Sequence, residues 1–451
     1  MAKNQFILLT VFFVLIAFSA CRKSDYWLEE TQKVINDNGL GVGTVTWTKD
    51  KEYILEGKVY VNDGQVLTIE PGTVIRARQG SGTASSALIV ARGGKIIAEG
   101  TAVEPIIFTV EGDNLNGSVG ADERGLWGGV IMLGSASINS PSGEAHIEGI
   151  PFSEPRGIYG GNNDQDNSGV LRYVSIRYGG TDLGQGNEIN GLTLGGVGSA
   201  TIIDHVEVFA NADDGIELFG GTVNLSYIVV ANCADDAVDI DYGYQGSGQF
   251  WCLVQASGYG DKLIEIDGGE ASITSPPYSL PVIYNVSAVG RGTDYTNKLI
   301  SFNDNGGGIV ANSLFVNQKF GVEMEYSSVR HNSFTQWQIG NLEVKNCVFN
   351  RVNANQLDGF FSVYALNEED VREEELLLAD YFSSAGNRFA VIDFNENENG
   401  ISLITDDDIL FTNYAPLPEN DFFETANYIG AFDNYNWMGE WTLTSSLGLI
   451  W

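Results

Sequence analysis

The chain has 451 residues, with 59 acidic against 24 basic side chains and a formal charge of −35. Nucleic acid and anionic membrane surfaces are therefore poor partners, whereas cations, basic proteins and neutral or cationic glycans remain open. Three scattered histidines (His146, His205, His331) exclude a catalytic zinc centre of ordinary spacing.

The first residues read as a leader. Lys3 supplies a positive start, residues 6–18 are almost continuously apolar, and Phe18-Ser19-Ala20-Cys21 has the form of a lipobox. The apolar run is too short to span a bilayer and ends at a processing site. Residues 1–20 are thus expected to be removed, with lipid attached to the Cys21 thiol as the link to the membrane. Arg22-Lys23-Ser24-Asp25 resembles the short charged export signal of Bacteroidota surface lipoproteins, which implies an outer-membrane anchor with the protein displayed outside. Cys233, Cys252 and Cys347 then remain, an odd and scattered set that is no disulfide framework. Residues 21–43 read as a tether, with a short amphipathic piece at 26–36.

From residue 44 the pattern is strand, turn, strand. Glycine is frequent (55) and proline scarce (10), as expected of many short strands joined by tight turns. Leu67-Thr68-Ile69-Glu70-Pro71-Gly72-Thr73-Val74-Ile75 alternates around a Pro-Gly turn, and Ala87-Leu88-Ile89-Val90 through Lys95-Ile96-Ile97-Ala98 reads as the next rung. A pattern of polar, any, apolar, any, apolar recurs at Asp204-His205-Val206-Glu207-Val208, Ser226-Tyr227-Ile228-Val229-Val230 and Asn312-Ser313-Leu314-Phe315-Val316. Two strand rows per coil with no helix between them predict an all-β fold, a right-handed parallel β-helix, over residues 44–358. Residues 359–451 read as further coils and an irregular cap. They contain an acidic run that suggests a helix or a charged excursion near 367–382, and Trp437 and Trp441 are assigned to capping rather than to a sugar platform.

Three segments can be written over one another: Asp213-Asp214-Gly215-Ile216-Glu217-Leu218, Asp235-Asp236-Ala237-Val238-Asp239-Ile240-Asp241, and Asp261-Lys262-Leu263-Ile264-Glu265-Ile266-Asp267. Their alternation turns Ile216, Val238 and Ile264 inward and Glu217, Asp239 and Glu265 outward. Stacking at about 4.8 Å would then build an outward row of Thr193, Glu217, Asp239, Glu265, Ser301 and Glu323, beside a row of Asp241, Asp267, Asn303 and Glu325. Carboxylates that close repel unless cations, raised pKa values or solvation compensate. Asp213, Asp214, Asp235, Asp236, Asp239 and Asp241 are the predicted Ca²⁺ ligands, since hard cations take several oxygen donors. Glu217, Glu265, Asp267, Glu323 and Glu325 form the accompanying ligand face. Lys262 should stack over Asp236 and either neutralise the ladder or act as a base.

The doubled aspartates resemble the acidic pairs of calcium-dependent β-helix pectate lyases, and Asp204-His205 resembles a fragment of a lyase motif. That resemblance implies a polysaccharide lyase or glycoside hydrolase with Lys262, Asp213, Asp235 and Asp236 as catalytic candidates. No arginine cluster faces the ladder to hold a polyuronate, and a turn aspartate beside an outward histidine is the preferred reading of the dipeptide. A broader resemblance rests on Leu67-Thr68-Ile69-Glu70-Pro71-Gly72-Thr73, Ala91-Arg92-Gly93-Gly94-Lys95-Ile96, Trp127-Gly128-Gly129, Phe219-Gly220-Gly221-Thr222 and the closing Gly430-Ala431-Phe432. These are similar to Bacteroidota-type cell-surface β-helix lipoproteins, implying a fold and a surface location but no transferable catalytic residues. The expected function is a non-enzymatic binding or scaffold lipoprotein that shows an acidic, Ca²⁺-binding face to a glycan or surface protein, an outer-membrane uptake receptor being one such partner.

Overall fold

Alternation and turn chemistry produce three strand faces around one elongated core. The computed structural model describes residues 32–181, 189–255, 258–269, 273–367 and 369–451. The leader and Cys21 lie outside the described residues. One face is a ten-stranded ladder that climbs in chain order: Lys58–Val61, Ala87–Val90, Val130–Leu133, Leu192–Val197, Ile216–Gly221, Val238–Asp241, Ile264–Asp267, Ile300–Asn303, Val322–Tyr326 and Phe361–Ala365. Every neighbouring pair is parallel. A parallel pair needs a long crossover, and here each crossover is the rest of the coil.

The other two faces come from longer strands folded at a corner. Gly169–Arg177, Ile202–Phe209, Asn224–Ala231, Ser247–Val254 and Val282–Gly292 pair in succession. Each bends at one residue with positive φ: Tyr173 (49°), His205 (54°), Tyr227 (54°), Phe250 (58°) and Asn285 (58°). Towards both ends of the solenoid the same strand divides in two. The first half of Gly169–Arg177 pairs with Lys95–Glu99 and its second half with Ile106–Val110. The expected two rows per coil are therefore three, because a single left-handed residue turns the chain sharply without ending the ladder. Residues 87–98, read as one rung, are likewise two strands on different faces, parted at Gly93-Gly94. Gly93 takes φ +85°, and a Cβ there would sit 2.1 Å from an Asp63 carboxylate oxygen.

The core is a continuous stack of inward residues that includes Trp47, Leu88, Val130, Leu192, Ile216, Val238, Ile264, Ile300, Val322 and Phe361. It begins earlier than residue 44. Gln32–Asn36 pairs in parallel with Glu52–Glu56, and Ile35 packs on the core, so the first rung lies inside the stretch read as tether. At the far end the acidic run forms a helix, Arg372–Ser384, with Glu373, Glu374 and Glu375 in its first turn, where the helix dipole favours negative charge. Its Leu378 and Phe382 are buried, and Phe382 stacks on Phe389 at 4.8 Å. This helix covers the last coil.

The remaining tail lies along the side of the solenoid and returns past earlier coils. Asn346 donates to the Asn413 carbonyl (2.8 Å), and Asn312 exchanges two hydrogen bonds with Ala415 (2.9 and 2.6 Å). Gln249 does the same with Glu424 (2.9 and 2.8 Å), and Glu207 accepts from the Leu443 and Thr444 amides (2.9 and 2.8 Å). Trp441 is 2% exposed against this flank. The tail is thus a lateral strap, and end coverage falls to the helix. No helix among the described residues is long and apolar enough to cross a membrane.

Candidate functional site

The register of the ten-stranded face stacks the acidic residues as the alternation requires. Thr193 pairs with Glu217, Glu217 with Asp239, Asp239 with Glu265, Glu265 with Ser301 and Ser301 with Glu323. The turn before each strand adds a second column. The Asp236 amide donates to Asp214 (2.8 Å), and the Lys262 amide donates to Asp236 (2.5 Å). Asp214 and Asp236 therefore also tie one coil to the next.

The ladder divides into two halves of different electrostatics. In the later half lysines answer the acids. Lys262 Nζ lies 2.7 Å from Asp261, 2.8 Å from Glu265 and 3.7 Å from Asp236, while Lys298 Nζ lies 2.7 Å from Glu323. Glu265 also accepts from Ser301 (2.9 Å) and Asn303 (2.8 Å). Burial opposes ionisation of Glu265, yet the proton of Asp236 aimed at it and the Lys262 ammonium hold its pKa below the usual carboxylate range. Asp261 is lowered in the same way by Lys262 and Asn297 against its burial. Burial alone would depress the Lys262 ammonium, but Asp236 and Glu265 outweigh it and push its pKa up. Lys262 thus sits as a counter-ion among Asp236, Asp261 and Glu265, the neutralising role considered for it.

In the earlier half no ammonium or guanidinium pairs with Asp214, Glu217 or Asp239 among the described residues. Asp214, Glu217 and Asp239 each offer an oxygen within 4.8 Å of the others. Asp213 and Asp235 approach Asp214 within the same limit. Asn190 donates to Glu217, but Asp239 Oδ1 is enclosed and has no hydrogen-bond partner. Burial first, and then the neighbouring carboxylates, push the pKa values of Asp214, Glu217 and Asp239 far up. Two Ca²⁺ ligands on opposite sides of the ion stand about 4.8 Å apart, twice a 2.4 Å bond. The trio therefore has the donor type and spacing of a hard-cation site.

Several sequence assignments shift. Asp241 joins none of the carboxylate groups of ligand spacing found among the described residues. Glu217 and Glu265, assigned to the surrounding face, belong to those groups. Glu325 is 2% exposed and held by Arg330 at 2.5 Å, so it is buried rather than presented. Asp267, half-buried, rises to about 7 through burial and the nearby Glu265 charge. Asp235 is exposed at the rim.

Other features had no clear sequence signal. Tyr159, carried by an excursion between Leu133 and Gly169, packs on Phe219 and Tyr242 and walls the ladder on one side. On the corner His205 stacks between Tyr173 and Tyr227, 4.3 Å from each, and its Nδ1 faces Asp204 at 2.5 Å. The one hint was the ring in the second place of two repeats of the second row, His205 and Tyr227.

With this geometry in hand, the profile of the family described as "Pectate-lyase like beta helix domain" matches residues 39–377. The chain belongs to that family. Its members' β-helix is the architecture seen here, and the match includes every rung of the ladder. No curated protein matches the chain. Among solved structures, the catalytic domain of a GH87 alpha-1,3-glucanase in complex with tetrasaccharides is similar at 9% identity and a TM-score of 0.33, over 82% of this chain and 69% of that one. A second form of that domain with nigerose gives 9% and 0.34 over the same shares. Dettilon tailspike protein gives 10% and 0.30, over 72% of this chain and 62% of that one.

Proposed function

We propose that this pectate-lyase-like β-helix protein is a surface lipoprotein of the Bacteroidota type, anchored in the outer membrane by lipid on Cys21. In this reading it binds rather than cleaves. Its ladder holds Ca²⁺ between Asp214, Glu217 and Asp239, with Asp213 and Asp235 at the rim, and presents the loaded face to a glycan. The observation that carries the reading is Asp239 Oδ1, an enclosed carboxylate oxygen without a partner amid like charges. A cation there would replace repulsion by coordination. The test is a calorimetric Ca²⁺ titration of chelator-treated protein, compared with Asp239→Asn. Stoichiometric binding that weakens at least about tenfold in the variant, some 1.4 kcal/mol, supports the site. No binding at millimolar Ca²⁺ removes it.

One observation favours a second reading. Asp236 and Glu265 offer oxygens within 4.8 Å of each other beside Lys262. Burial and Asp214 raise the pKa of Asp236, while, against burial, the contact with Asp236 and the Lys262 charge hold that of Glu265 low. A protonated carboxyl beside an ionised one can serve as general acid and general base. Release of reducing ends from a polysaccharide, abolished by Asp236→Asn, would select it over binding.

A further inference from the structure

A concavity lies away from the ladder, between the strap and the bent corner. It has a volume of about 420 Å³, within the range of small-molecule sites, and both walls are needed to form it. The coil supplies Asp204 and Tyr227, and the strap supplies Glu424, Asp433, Tyr435 and Trp437. No lysine or arginine lines it.

The charges are unevenly answered. Asp204 is met by Arg172 Nε at 2.9 Å and by His205. Glu424 receives the Tyr227 hydroxyl at 3.0 Å, and Asp433 receives the Tyr435 amide at 3.0 Å. These are neutral donors, so two carboxylates face the groove without an ion pair among the described contacts. Aromatic side chains stand beside them. Trp437 is set edge-on to Tyr227 at 5.3 Å, and Tyr435, 66% exposed, stands at the mouth. Carboxylates attract a cation by charge, and ring faces attract it by their quadrupole. The same surroundings repel an anionic sugar.

We infer that this groove is a binding site for a small organic ammonium ion, carried by an amino sugar or by an alkylammonium head. The ammonium group sits between Glu424 and Asp433, and the carbon skeleton lies against Tyr435 and Trp437. The site shares no residue with the ladder, so it stands or falls independently of Ca²⁺.

The test is calorimetric titration of the full chain in chelator with glucosamine, choline, glucose and glucuronate. Glucosamine or choline is expected to bind, glucose at least about tenfold more weakly, and glucuronate not at all. Binding of glucosamine alone assigns an amino sugar, and equal binding of choline assigns the ammonium group itself. Glu424→Gln and Asp433→Asn, both exposed on the strap, should each weaken binding about five- to tenfold while leaving the melting temperature in place. Failure of both ammonium probes, glucose binding equal to glucosamine, or unchanged affinity in the double variant E424Q/D433N would each overturn the proposal.

Discussion

Asp239 and Glu265 occupy the same place on adjacent coils and meet opposite fates. Glu265 has Lys262, Ser301 and Asn303 around it, whereas Asp239 has other carboxylates. The difference comes from the turn before each strand, where Asp236 in one coil becomes Lys262 in the next. It has a consequence for pH. A carboxyl whose folded pKa lies above its unfolded value binds more protons when folded, so stability falls as pH rises between the two values. Asp214, Glu217, Asp236 and Asp239 are all shifted upward, and Asp267 reaches about 7. In chelator, stability should therefore decline from about pH 4, the unfolded carboxylate range, through pH 7. The lowered acids Glu265, Asp261 and Asp204 act in the opposite sense and lose their contribution only as pH falls through their folded values, below about 4. Urea unfolding at pH 5, 6 and 7 would show the decline, and millimolar Ca²⁺ should flatten it. Stability that rises over this interval without Ca²⁺ would contradict the buried ladder.

At the scale of elements, the bent strand and the strap depend on each other. Holding Tyr173, His205, Tyr227 or Phe250 at positive φ costs about 1–2 kcal/mol per residue. Ring stacking along the corner and edge-on contact with Trp437 and Trp441 offset that cost. Glu207 fastens the strap. Fully buried, it accepts hydrogen bonds from Ser175 (2.5 Å), two strap amides and the Thr444 hydroxyl (2.8 Å). Glu207→Ala leaves the two amides without their acceptor, a loss of about 1–3 kcal/mol each where they stay buried. Hydrogen exchange at Leu443 and Thr444 should accelerate far more in this variant than in the strands of the ladder face. Uniform acceleration across the coils would mean instead that Glu207 supports the solenoid itself. The ladder was legible in the sequence because a period of two, once aligned, fixes both face and register. The corner was not, since an aromatic residue at positive φ reads like any outward strand residue. Nor could Glu207 be matched to Thr444, as a contact spanning 237 residues leaves no local pattern.

On the scale of the whole molecule, a solenoid coil contacts mainly its neighbours, so stability is close to a sum of local interfaces. The strap departs from that rule by joining coils from Asn346 back to Glu207 along one flank. Deleting residues 412–451 would bare the stacked Tyr173, His205, Tyr227 and Phe250 and leave the side-chain amides of Asn285 and Asn312 without their strap partners. The shortened chain is expected to melt lower and over a broader range, because distant coils lose their common tie, and to self-associate through the bared rings. The ladder lies on a different sheet and is made wholly of coil residues. Calorimetric Ca²⁺ binding should therefore persist in this variant at a temperature where it remains folded, while ammonium binding disappears with the strap wall of the groove. Loss of both together would mean that the strap holds the ladder's geometry at a distance. Retention of both would overturn the ammonium site, since Glu424, Asp433, Tyr435 and Trp437 all leave with the strap. Only the split outcome assigns the two sites to separate faces of one rod.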